Sequence, residues 1–209
     1  MPEPARALRG LVPFEIAAVL ALAIAPLPET LPVALPLFAV ATASRWARGR
    51  DWSELLAGAR GTAGIGAAVG LAALALAVLA GSPVVELVSG RGVEWAMFPM
   101  VRGNAAQGVA VALIVGITAA ASELALRGWV VERVRELSPG PPILPVLVGA
   151  LAEAMVTPGG VAARIGAGVF GLGLGWIYVA AGRSVVAPVC ARLAFALGAV
   201  VLEALRVLG

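Results

Sequence analysis

Four charged residues stand in segments that are otherwise apolar: Glu123, Arg127, Glu153 and Arg192. Glu123 and Arg127 are four positions apart, which on a helix places a carboxylate and a guanidinium on one face and within reach of each other. A charge at membrane depth is costly enough that it is retained for pairing or for function. The four residues come from three expected helices and sum to zero, so mutual pairing inside a bundle is the least costly arrangement. Two chemistries are open to such a set. One is structural, a charge-balanced cluster that locks helices together. The other is acid–base chemistry, in which a buried carboxylate such as Glu123 can act as a base and a second one, Glu153, sharing its site would allow acid and base roles. Arg192 is a fixed cation near neutral pH, able to stabilise an anion but not to exchange a proton. The chain has no histidine.

The elements that must position these residues follow from composition. Of 209 residues, 61% are hydrophobic and 13% charged, far outside the range of a soluble domain. All 15 basic residues are arginines, and they gather at segment ends rather than in a patch interleaved with aromatics, so a nucleic-acid partner is not expected. Apolar runs over 11–25, 31–44, 62–80, 105–127, 143–156, 161–181 and 185–208 predict an all-α, multi-pass transmembrane bundle of about seven spans. Pro26 to Thr30 is a tight turn, and Pro139-Gly140-Pro141-Pro142 stops a helix that continues past Arg127 to about Glu136. With the N-terminus inside, ten arginines fall on inner segments and four (Arg91, Arg102, Arg164, Arg206) on outer ones, which favours a cytoplasmic N-terminus. Trp129 and Trp176 then fall toward the inner interface, and Trp95 belongs to an outer anchor.

Other patterns point to packing. Gly66-Ala-Ala-Val-Gly70 is a small-xxx-small stripe for close helix contact. Gly171-Leu-Gly-Leu-Gly175 lacks the full dinucleotide fingerprint and follows no strand, so it reads as a packing surface. Glu15, near Pro13, reads as a capping or interfacial carboxylate. The single cysteine, Cys190, excludes an internal disulfide and a thiolate zinc cluster; no metal and no cofactor is implied.

Ser122-Glu123-Leu-Ala-Leu-Arg127-Gly128 resembles the Glu-Glu-x-x-x-Arg motif of the CPBP family, intramembrane proteases related to CAAX prenyl endopeptidases and bacteriocin-processing enzymes. Leu151-Ala-Glu153-Ala-Met155 with Pro158-Gly-Gly160 is similar to that family's Phe-x-x-x-His segment and the turn after it. Gly171 to Tyr178, Gly182-Arg183-Ser184 and Ala187-Pro188-Val189-Cys190-Ala191-Arg192 are similar to its glycine-rich helix, short turn and last motif helix. The likeness covers about residues 105 to 200. The sequence departs from the pattern at Ser122 for the first glutamate, at Met155 and Arg192 for the two histidines, and at Ala196 for an asparagine.

The apolar runs place transmembrane helices and interfacial loops over 1–104, and the resemblance implies a CPBP-like helical core over 105–209. It implies an inner-membrane protein, either an intramembrane endopeptidase or a catalytically degenerate relative, that meets lipid and a lipidated or membrane-anchored protein. The candidate catalytic residues are Glu123, Arg127, Glu153 and Arg192. The residues alone support a second reading, a non-catalytic scaffold held by a charge-balanced lock. A small transporter is a third, less favoured for want of an inverted repeat.

Overall fold

A computed structural model describes residues 10–25, 32–56, 61–89 and 98–205, and all regular structure among them is helical. The expected turn at Pro26 to Thr30, Trp95, and Arg6, Arg9, Arg60, Arg91 and Arg206 lie outside the described residues. The chain forms α1 (Val12–Ile24), α2 (Ala34–Ala47), a single turn α3 (Ser53–Leu56), and α4 (Thr62–Leu76), which passes through a widened turn (Ala77–Gly81) into α5 (Ser82–Ser89). After a short 3-10 turn come α6 (Ala105–Ala125), a widened turn (Leu126–Val131) and α7 (Glu132–Leu137) as one continuous rod, then α8 (Ile143–Val156), α9 (Val161–Ala180) and α10 (Val186–Ala204).

Local chemistry sets these limits. Asn104 caps α6, its side-chain oxygen accepting from the Gln107 amide at 3.1 Å. The rod ends at Leu137 because prolines at 139, 141 and 142 cannot continue a helical hydrogen-bond ladder. Among the described residues four helices are long and apolar enough to cross a bilayer: Thr62–Leu87, Ala105–Leu137, Val161–Ala180 and Val186–Ala204. The other three expected spans are α1, α2 and α8, helices of 13, 14 and 14 residues. At about 1.5 Å per residue these extend only about 20 Å, against roughly 30 Å of hydrocarbon. Ile65, Leu71 and Leu76 on α4, Val109, Leu113 and Ile117 on α6, and Ile165 and Val169 on α9 are exposed. Apolar surface of that extent is solvated by lipid, not by water.

Two glycine stripes set the helix spacings. A Cβ on Gly66 or Gly70 would overlap the backbone carbonyls of Ala187 and Ala191, so α4 and α10 meet backbone to backbone as the small-xxx-small spacing predicts. On α9, a Cβ on Gly175 would stand 2.8 Å from Val146 Cγ1, and Gly168 faces Ala154. The glycine-rich run is therefore the surface on which α8 rests.

The second half of the α6–α7 rod is the core of the molecule, with every residue from 125 to 134 buried. α1, α2 and α8 enclose it through Val19, Leu37, Ala41 and Ala152, packed with Leu126, Trp129 and Val130. Trp129 is fully buried within the bundle, and its Nε1 donates to Ser44 Oγ at 2.8 Å, whereas Trp176 keeps 47% exposure. The reason is that α1 and α2 cover this end of the rod, which hydropathy cannot reveal. Ser44 uses its whole hydrogen-bonding capacity, donating to Glu15 Oε1 at 2.8 Å and accepting from Trp129 and from Arg48 Nη1 at 2.7 Å. Glu15 also pairs with Arg48 at 2.6 Å, so it ties α1 to the end of α2 rather than capping its own helix. Ser44→Ala should lower stability by about 1–2 kcal/mol, read as a loss of melting temperature in detergent, because it strands the Trp129 donor.

Candidate functional site

Glu123 and Arg127 occupy the last turns of α6 and the start of the widened turn; Glu153 is near the end of α8, and Arg192 is two turns into α10. The structure brings all four into one closed ring of alternating charge. Arg192 Nε donates to Glu123 Oε1, Glu123 Oε2 faces Arg127 Nε at 3.4 Å, Arg127 Nη2 donates to Glu153 Oε2, and Glu153 Oε1 returns to Arg192 Nη2. Arg127 Nη2 also donates to the Gly171 carbonyl at 3.0 Å. Glycine is required at that position: a Cβ on Gly171 would stand 2.8 Å from Glu153 Oε2 and 3.2 Å from Arg127 Nη2. Glu123 and Arg127 are fully buried, Glu153 nearly so, and the Arg192 side chain keeps 20% exposure.

The shared level of these residues depends on the rod. Past Glu123 it runs 14 residues further to Leu137, about 21 Å, and α8 returns about 15 Å from Ile143 to Glu153. Had the helix ended at Arg127, the two carboxylates would stand at different depths.

A cavity of about 500 Å³ opens beside the ring, between the α1–α2 ends, α6, α8 and α10. Its wall is mostly apolar, with the hydroxyls of Thr118, Ser122 and Thr157, and takes Glu153 and Arg192 from the ring. Glu123 and Arg127 are not part of that wall. Of the positions where the sequence departs from the motif pattern, Ser122, Arg192 and Ala196 line the cavity. Met155 does not; the α8 residues that reach the cavity are Glu153, half a turn earlier, and Val156.

Both oxygens of Glu153 and one of Glu123 are held by guanidinium groups, and the remaining one, Glu123 Oε2, is buried without a hydrogen bond. Among the described residues no group of three His, Cys, Asp or Glu is placed to hold a metal ion.

A second ionic cluster lies outside the four residues that the sequence singles out. Glu132, buried on the rod, accepts from Tyr178 Oη at 2.9 Å and from Arg183 Nε at 3.0 Å, with Arg183 Nη2 on its other oxygen and Arg135 at 3.6 Å. Arg183 lies in the turn between α9 and α10 with φ of 71°, a left-handed conformation that side chains rarely adopt. Its bonds to Glu132 hold it there, and the carboxylate raises the guanidinium further above its ordinary pKa. The one signal in the sequence is Glu132 itself, at the start of the charged run Glu132-Arg133-Val-Arg135-Glu136, which reads equally well as the polar face of an amphipathic extension.

Residues 102–198 match the type II CAAX prenyl endopeptidase Rce1-like family. The matched segment runs from the turn before α6 into α10 and contains the whole ring. No curated protein and no solved structure matches the chain. The segment that builds the ring and most of the cavity wall is thus similar to the type II CAAX prenyl endopeptidase Rce1-like family.

Proposed function

We propose that this protein is a non-hydrolytic relative within that family, which uses the cavity beside the ring to hold a membrane-anchored protein and uses the ring as a lock between helices. The observation that carries this reading is the closure of the ring: each carboxylate lies between two guanidiniums, and Glu123 is shut off from the cavity wall. A base must reach the water it activates, and a tetrahedral oxygen needs positioned donors; loss of one such donor lowers a rate about 10²-fold or more. In this reading seven segments are embedded in the cell's inner membrane with the N-terminus cytoplasmic, as the arginine asymmetry favours.

The reading is tested by reconstituting the protein with a membrane-anchored reporter peptide and following binding by fluorescence and integrity by mass spectrometry. Binding without any cleavage product is expected. Glu123→Gln should leave the reporter intact and lower stability by about 2 kcal/mol, because a buried charged partner is lost. Fragment release by the wild type that Glu123→Gln abolishes would establish the endopeptidase instead.

A further inference from the structure

A groove of about 400 Å³ runs along the outer face between α8 and α9, away from the ring. It starts near the Thr157–Gly160 turn, at the end of α8 and the beginning of α9, and extends inward to Leu172. Its walls are Leu147, Leu151, Ile165 and Val169, all exposed, and its polar edge is Arg164. Gly168 lines the groove and faces Ala154 across it, where an added Cβ would lie 3.5 Å from that of Ala154.

Arg164 differs from the other described arginines. Arg45, Arg48, Arg50, Arg102, Arg127, Arg133, Arg135, Arg183 and Arg192 each face a carboxylate. Arg164 faces none among the described residues, and it is exposed in the first turn of a membrane-crossing helix. From there to Leu172 the groove follows eight residues, about 12 Å of apolar channel. A cation at the mouth with an apolar channel running inward matches an amphiphile whose charge sits at headgroup level and whose chain enters the hydrocarbon.

We propose that this groove is a phospholipid site, with Arg164 paired to the phosphate and one acyl chain lying along Leu151, Ile165 and Val169. The site is independent of the ring and of whether the protein cleaves anything.

Native mass spectrometry of the detergent-purified protein tests it, using dioleoyl phosphatidylglycerol, dioleoylglycerol and inorganic phosphate as separate probes. One bound phosphatidylglycerol per chain is expected, with weaker retention of dioleoylglycerol and none of phosphate. Arg164→Gln should weaken phosphatidylglycerol binding about fivefold. Ile165→Trp, which fills the groove from a position 62% exposed, should remove most of the adduct with Arg164 still present. Leu113→Trp, on the exposed face of α6, should leave it unchanged. Equal binding of dioleoylglycerol and phosphatidylglycerol, unchanged binding in Ile165→Trp, or an adduct formed by phosphate alone would overturn the proposal. So would undiminished binding in Arg164→Gln. If Arg164→Gln fails to fold, the probe comparison and Ile165→Trp decide the matter.

Discussion

Arg127→Leu should destabilise the protein by about 3–5 kcal/mol, more than any other single change in the ring. Arg127 is wholly buried and touches three groups at once: Glu123, Glu153 and the Gly171 carbonyl. Without it, two carboxylates remain inside the bundle against the one cation of Arg192. Lysine should not restore stability, since a single ammonium lacks the fork that reaches separate acceptors on α6, α8 and α9. Arg192→Leu should be milder, because its side chain is one-fifth exposed and water can enter from the cavity. The measurement is unfolding of the purified variants in one detergent. Adding Glu153→Gln to Arg127→Leu should recover part of the loss, a non-additivity that direct coupling requires. Arg127→Leu melting at the wild-type temperature would mean the ring does not hold the helices together.

Gly70→Ala should be nearly as damaging, at about 3 kcal/mol, although it adds only a methyl group. At most positions in an apolar helix glycine to alanine is favourable, since it removes backbone freedom from the unfolded chain. Here the methyl would overlap the Ala191 carbonyl, which is backbone and cannot rotate aside. α4 and α10 must then separate along their length, taking Gly66 away from Ala187 as well. Gly64→Ala is the control, since nothing lies within 4 Å of its Cβ. A melting curve for Gly70→Ala that matches the control would show that the two helices tolerate a wider spacing.

Ring and rod differ in how far the amino-acid sequence alone reveals them. Glu123, Arg127, Glu153 and Arg192 are expected to meet because each is isolated in apolar sequence and none is stable there alone. That argument concerns energy and requires no knowledge of the packing. The glycine stripes are legible for a similar reason, since small residues at helical spacing in an apolar run have few other uses. The burial of Trp129 is not legible because its neighbours come from α1 and α2, more than 80 residues away, as the Ser44 contact shows. The widened turn at Leu126–Val131 leaves no sequence mark. The second cluster is illegible because Glu132 acquires its meaning only when the turn after α9 carries Arg183 beside it. The expected span count rests on apolar runs alone, and three of the seven form helices too short to cross without thinning of the surrounding lipid.

Because the ring joins residues far apart in sequence, it also dictates an order of events during synthesis. Glu123 and Arg127 leave the ribosome together as a neutral couple. Glu153 follows Arg127 by 26 residues, and Arg192 follows Glu123 by 69. Between those two arrivals the ring set, counted alone, holds two carboxylates against the single guanidinium of Arg127. A chain that stops before α10 therefore leaves the ring set with one negative charge uncompensated inside the bundle.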